Sequence, residues 1–470
     1  MTNDVAVDAT DDVTGAVTGA VALTQKVALH TLGCKVNYYD TEAVWQLFLQ
    51  AGYKRVDFSE VADVYVINTC SVTHEGDRKS RQMIRRAIRR NPDAVVVVTG
   101  CYAQIAPGEV LGIDGVDLVV GNQHRAQMLE WIEKVQHERQ PFNAVAPILR
   151  QSEFEDMDVP AFAERTRATL KIEDGCNHFC TYCIIPYARG LVRSRKPESV
   201  IRQARRLADA GYHEIVLTGI HTGAYGEDLD GDTLANLLRD LEMIENLRRI
   251  RISSIEASEI SSALIETLAA SNKVCRHLHI PLQAGADEVL KRMNRRYTRI
   301  DFARKLDEVR GALPELAITT DIIVGFPGET DAHFQATYNF VKEQAFAELH
   351  VFPYSKRSGT PAAKFSEEVP EEVKHDRVER LIALSRELQR DYNRRFAGAV
   401  LNVIPEEAEV REGGTWLVGH ADNYMNVEFA GDSSQLGAIC AVRVEVPGVE
   451  VSRGRLEAVL IGGAFDGAVI

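Results

Sequence analysis

Apolar positions fall along the chain in three textures. From Lys26 to about Gln136 there are four short continuous runs, Val27 to Leu32, Val64 to Asn68, Val95 to Thr99 and Asp117 to Val120, which read as parallel strands buried on both faces. Asp40 to Ala51 and Asp77 to Arg90 carry helical spacing between them, the second stopped by Asn91-Pro92. Residues 26–136 are thus expected to form a doubly wound α/β unit. Residues 137–167 hold Pro141, Pro147 and Pro160 with no sustained period and read as a linker. Over 168–392, strand-like runs recur at 169–173, 214–219, 250–254, 277–281, 318–324 and 348–353, with helical stretches between most of them, which predicts a partial (β/α)6 barrel. Over 396–462 the runs shorten and alternate, as in Trp416 to Val418 and Tyr424 to Phe429, between Gly413-Gly414, Gly431 and Pro447-Gly448. A small antiparallel β-barrel fits that texture. The expected class is therefore α/β multidomain. Residues 1–25, with Asp4, Asp8, Asp11 and Asp12 and no period, read as a disordered tail.

Composition changes this picture little: 45% hydrophobic and 26% charged residues over 470 positions is globular usage. No apolar run reaches the roughly 18 residues of a membrane span, and no basic segment with an apolar core opens the chain, so no membrane partner and a cytoplasmic location are expected. The net charge of -14 repels a polyanion overall, which leaves nucleic-acid contact to local basic patches. The strongest is 77–90, where Arg78, Lys79, Arg81, Arg85, Arg86, Arg89 and Arg90 stand against one acid. Arg189, Arg193, Arg195 and Lys196, and Arg292, Arg295, Arg296 and Arg299, are further candidates. Residues 396–470 offer only Arg411, Arg443, Arg453 and Arg455 against eleven acids, so phosphate attraction there is expected to be weak.

Eight cysteines are too sparse for a disulfide scaffold, and six are grouped. Cys176, Cys180 and Cys183 form a C-x3-C-x2-C loop just beyond the first strand of the barrel-like unit, the end at which barrels carry their chemistry. Three thiolates in eight residues suit a soft metal and leave a coordination position open; a structural zinc site completed by His178 or a remote residue is the bland alternative. Cys34, Cys70 and Cys101 each follow a predicted strand, so all three stand at the carboxyl edge where open α/β sheets bind ligands. Cys275 and Cys440 have no partner pattern and read as buried thiols. The histidines, including His277 and His279 on one strand-like run, read as structural.

The C-x3-C-x2-C loop resembles that of the radical-SAM superfamily, in which three cysteines hold a [4Fe-4S] cluster and S-adenosylmethionine chelates the fourth iron. By that resemblance Tyr182, Gly219, Ser254, Glu256 and Gly325 line the cosubstrate pocket. Thr31-Leu32-Gly33-Cys34-Lys35-Val36-Asn37, Asn68-Thr69-Cys70-Ser71-Val72-Thr73 and Thr99-Gly100-Cys101 extend the likeness to the methylthiotransferases, over about residues 26–462. The resemblance implies a second [4Fe-4S] cluster on Cys34, Cys70 and Cys101, a C-terminal TRAM domain, and S-adenosylmethionine as both methyl donor and radical source; no catalytic residue is assigned beyond the cluster ligands. Gly33-Cys34-Lys35-Val36-Asn37 resembles the branch that acts on threonylcarbamoyladenosine at position 37, in the anticodon loop of ANN-decoding tRNAs. On that reading Arg78, Arg81, Arg85, Arg86 and Arg89 contact tRNA, and a reductant protein and a sulfur donor are required. Isopentenyladenosine or a ribosomal-protein aspartate are rival substrates; an iron-sulfur electron carrier or RNA-binding scaffold is the rival of another class.

Overall fold

The computed structural model describes residues 25–162 and 166–462, so the predicted tail lies, Gln25 apart, outside the described residues. The first unit is a six-stranded sheet in the order Lys54–Val56, Lys26–Thr31, Val64–Thr69, Val95–Gly100, Leu118–Val119, Phe142–Asn143, every pair parallel. Helices cover both faces, which is why its strands are apolar throughout. Ala28, Tyr65, Ile67, Val96 and Val98 pack on one side with Ile84 and Ala87, while Val27, Leu29, Val64, Val66, Val95 and Val97 pack on the other with Val44, Phe48 and Ile132. Two expectations change. Phe142–Asn143, inside the segment read as a linker, is an edge strand of this sheet. The helices expected from Asp40 and Asp77 begin earlier, at Lys35 and His74, because Cys34 and Thr73 occupy their N-cap positions in extended conformation.

The central unit holds two three-stranded parallel sheets, Arg249–Ile252, Glu214–Thr218, Ala168–Lys171 and His277–His279, Ala317–Val324, Glu348–Pro353. A parallel bridge from Ile250 to Val274 joins them, so the six strands follow one another in chain order. Alternate residues, such as Leu170, Ile215, Leu217, Ile250, Leu278, Ile318 and Leu349, pack in the hydrophobic core. The period of two therefore turns Lys171, Thr218, Arg251, His277, His279, Thr319, Asp321 and His350 to the opposite side.

After the helix Glu371–Arg394 the chain closes a five-stranded barrel in the order Val400–Arg411, Gly414–Ala421, Asn426–Ala430, Ser452–Ile461, Ile439–Val446. It is not wholly antiparallel as expected: Asn426–Ala430 and Ser452–Ile461 pair in parallel. Arg251 ties it to the central unit, donating to the carbonyls of Ala421 at 3.0 Å and Asp422 at 3.2 Å while bound to Glu214 at 2.7 Å.

Candidate metal centres and the cavity between them

Lys26–Thr31, Val64–Thr69 and Val95–Gly100 are neighbours in the sheet, and adjacent strands lie about 4.8 Å apart. Their carboxyl ends therefore bring Cys34, Cys70 and Cys101 to one edge, although 67 positions separate the first from the last. The turns that aim them are built by the preceding residue. Gly33, Gly100 and Gly175 have φ of +101°, +93° and +100°, and Phe179, before Cys180, has φ of +48°. Four of the six grouped cysteines thus follow a left-handed residue, a conformation that glycine adopts without a Cβ penalty. The Cys176–Cys183 loop is held at its base by a two-stranded antiparallel pair, Glu173–Asp174 with Arg193–Ser194.

Each trio behaves as a group of crowded would-be anions. Burial, with Cys101 and Cys34 next in raising effect, pushes the Cys70 thiol up to about 11. Burial and the nearby Cys180 raise Cys183 to about 12, and burial raises Cys176 further. Buried thiols raised in this way, Cys70 in one trio and Cys176 and Cys183 in the other, need a nearby cation to become ligands, which suits a thiophilic metal group. Each trio also has one buried arginine beside it. Arg295 Nη1 lies 3.4 Å from Cys180 Sγ while its other terminal nitrogen holds Glu256. Burial raises Cys101, and Arg189, in charge and hydrogen-bond contact with it, opposes that rise.

One cavity of about 760 Å³ runs between the units, with Gly33, Cys34 and Lys35 on its wall together with Cys176, Cys180 and Cys183. Tyr182, Gly219, Ser254 and Glu256 line it as well. Gly325 does not: it borders a separate cavity of about 560 Å³ with Pro327, Tyr354 and Lys374, and a Cβ there would stand 2.3 Å from Lys374 Cγ. Further wall comes from the polar sides of the central strands, Arg251, His277, His279, Thr319, Asp321 and His350, and from Tyr424 of the C-terminal barrel. His277 and His279, expected to be structural, are thus wall residues. The sequence reading gave Arg189, Asp321 and His350 no place at these sites; for the last two, the signal was a polar residue among apolar ones, Asp321 ahead of Ile322 to Val324 and His350 between Leu349 and Val351.

Charge is distributed differently from the expectation. Arg85, Arg86, Arg89 and Arg90 are exposed on the helix His74–Arg90 and form no ion pair among the described residues. Arg78 is engaged by Glu75 at 2.6 Å, and Arg81 donates to the Tyr102 hydroxyl at 3.1 Å. Arg189, Arg193 and Arg195 are buried and hold Asp40, Asp174, Asp156 and Asp158, so these three are removed from the candidate phosphate contacts. The side chain of Arg295 is buried too, while Arg292 meets Glu367. All four C-terminal arginines are paired with acids, Arg411 with Glu409 and Glu428, Arg443 with Glu457, Arg453 with Glu428 and Arg455 with Glu445. No helix among the described residues is long and apolar enough to cross a membrane.

Two family models match the chain: the Radical SAM superfamily over residues 170–341 and a family described as Uncharacterized protein family UPF0004 over residues 26–121. The threonylcarbamoyladenosine tRNA methylthiotransferase MtaB of Bacillus subtilis is 57% identical over 91% of this chain and 96% of its own length. The protein of the same name from Aquifex aeolicus is 42% identical over 81% of this chain and 92% of its own. A tRNA-2-methylthio-N(6)-dimethylallyladenosine synthase of Thermoanaerobacter is 36% identical over 92% and 93%. Among solved structures, the radical S-adenosylmethionine methyltransferase TsrM of Kitasatospora setae superposes with a TM-score of 0.56 at 16% identity, covering 72% of this chain and 77% of that one, a likeness of fold.

Proposed function

The chain belongs to the radical-SAM tRNA methylthiotransferase family, and from that premise we propose that it converts N6-threonylcarbamoyladenosine at position 37 of ANN-decoding tRNAs to its 2-methylthio form. The observation that carries this reading is the shared cavity, whose wall includes Cys34 of one trio and all of the other. The margin between 57% identity to a threonylcarbamoyl enzyme and 36% to a dimethylallyl one supports the choice of base.

The two donor sets support one [4Fe-4S] cluster on Cys34, Cys70 and Cys101 and a second on Cys176, Cys180 and Cys183, with S-adenosylmethionine at the latter. Bound there, these groups supply the one-electron chemistry and the methylated sulfur that an unactivated aromatic C–H requires. The chain's own part is placement. Tyr182, Gly219, Ser254 and Glu256 border the space for the cosubstrate, and Gly325, on its separate cavity, is left out of that set. Arg295 and Arg189 set a fixed positive charge beside the two thiol groups. Arg85, Arg86 and Arg89, with Arg78 and Arg81 in lesser measure, follow the tRNA backbone near the anticodon loop. The central sheets read as a partial (β/α)6 barrel and the closed C-terminal barrel as TRAM-like. A reductant protein and a sulfur donor complete the reaction, in the cytoplasm.

Mass spectrometry of nucleosides from cells lacking this gene tests the reading. Loss of the 2-methylthio form, with threonylcarbamoyladenosine accumulating, is expected; an unchanged profile, or loss of methylthio-dimethylallyladenosine instead, overturns it. Replacing Cys34, Cys70 and Cys101 by Ala is expected to remove about half of the bound iron while cleavage of S-adenosylmethionine persists.

A further inference from the structure

The threonylcarbamoyl substituent adds to adenosine a carboxylate next to a hydroxyl. A buried carboxylate has to meet cationic or N–H groups, so a cavity that selects this base carries them. The wall of the shared cavity does. Among the described residues it holds Lys35, Arg251, Arg295 and five histidines against two carboxylates, Glu256 and Asp321. Lys35 stands on the same wall as the imidazoles of His277, His279 and His350, and the two arginines there already hold carboxylates, Arg295 that of Glu256 and Arg251 that of Glu214.

Their geometry is built. The Thr319 hydroxyl lies 3.0 Å from His277 Nε2 and 3.0 Å from His279 Nδ1 and so fixes both rings. His279 Nε2 lies 3.2 Å from Asp321 Oδ1. His277 is 5% exposed, and its buried Nδ1 has no hydrogen-bond partner among the described residues. The His350 ring stands 5.3 Å from the His279 ring, and its side chain makes no hydrogen bond or ion pair among the described residues. Burial first, then Arg251, His279, Lys35 and His350, hold His277 well below the ordinary imidazole range. Bases that depress one another are relieved by an anion. His279, Asp321 and His350 also bring two imidazoles and a carboxylate within 4.8 Å of one another, but a divalent ion there would add to the positive field of Lys35 and Arg251.

We propose that Lys35, His277 and His350 hold the carboxylate of the substrate's threonyl group, and that the His279–Asp321 pair receives its hydroxyl. This assignment rests on the threonylcarbamoyl reading above. It makes Lys35, which follows cluster residue Cys34, a specificity residue that registers the base against the first cysteine trio.

The test uses an anticodon stem-loop RNA whose threonylcarbamoyl group is either the free acid or its methyl ester, bound to the full-length, cluster-loaded protein and read by fluorescence anisotropy. The unsubstituted protein is expected to prefer the acid by about tenfold, and Lys35→Gln and His350→Gln each to bring that ratio towards one. The ratio is internal to each preparation, so a loss of folded protein does not mimic the effect. A ratio near one without substitution overturns the proposal, as does a preference that survives both changes. Methylthiolation of the free-acid RNA separates the premise: product without acid preference sinks only the subsite, whereas no product from the loaded enzyme overturns the substrate reading and the subsite with it.

Discussion

Arg189 donates to Asp40 Oδ2 at 2.7 Å from 149 positions away, with both side chains buried where the first unit meets the central one. Lys171 reaches the other oxygen of Asp40 at 2.9 Å, and Arg125 shares Oδ2, so one carboxylate answers three cations. Because Asp40 and Arg125 belong to the first unit and Lys171 and Arg189 to the central one, this contact also sets how the two cysteine trios face each other.

Replacing Asp40 by Asn is expected to cost about 3 to 5 kcal/mol, since three buried cations lose their shared partner. Burial pushes the Asp40 carboxyl up, but Arg125, Lys171 and Arg189 together outweigh it and hold it well below the usual carboxylate range. A group lowered on folding stabilises fully above its unfolded value of about 3.9, and that contribution drains away as pH falls towards the folded value. Urea denaturation of both proteins checks this: the difference should be full at about pH 7 and shrink below about pH 4. An equal difference at both values contradicts the account.

Substitution by Ala at Gly33 or Gly100 is expected to lower the iron bound by the first trio and leave the second trio loaded. The new Cβ at Gly33 would stand 2.9 Å from Cys70 Cβ and 3.0 Å from Cys70 Sγ; at Gly100 it would meet backbone, 2.4 Å from the Thr69 carbonyl oxygen. Both residues also hold positive φ. Iron analysis per chain reads the result, with the loss greater at Gly100 because backbone cannot turn aside.

Combined Arg85→Ala, Arg86→Ala and Arg89→Ala changes are expected to weaken tRNA binding and to lower the slope of log affinity against log salt by about 2 to 3, since each phosphate that a side chain neutralises adds about 0.7 to 0.9 to it. Equal changes at Arg411, Arg443, Arg453 and Arg455 should move the slope far less, because each is already paired with an acid of its own barrel. A slope unaltered by the helix changes would place the tRNA path elsewhere.

Glu214 is the counterpart of Asp40 at the other junction. Burial raises its carboxyl, but Arg251, Arg167 and Arg249 hold it well below the usual range. Arg251 also grips carbonyls of the C-terminal barrel, so Glu214→Gln should loosen that barrel as well as cost about 3 to 5 kcal/mol. Limited proteolysis should then cut near 395–400 on the order of tenfold faster than in the parent protein, provided local opening precedes cleavage. Unchanged cleavage would show that the barrel is held by other contacts.

Much of the chemistry was legible along the chain. The three-cysteine loop and the glycines before Cys34, Cys101 and Cys176 are local features, while Cys34, Cys70 and Cys101 were legible as a group only because each follows a run that reads as a parallel strand. The continuous runs of the first unit also carried its parallel sheet, and the shorter alternating runs near the end signalled the strands of a barrel but not the parallel pair within it. What the sequence alone could not decide is which charges meet. Arg189, Arg193 and Arg195 stand in a row that reads as a phosphate-binding patch, yet all three are buried against carboxylates from distant segments. His277, His279, Asp321 and His350 lie on three separate strands, and a period of two says that they share a side without saying what lies there. Only the packing of the central sheets against the first unit turned that side into the wall of a cavity, because a Coulomb partner is set by distance in space and is indifferent to distance along the chain.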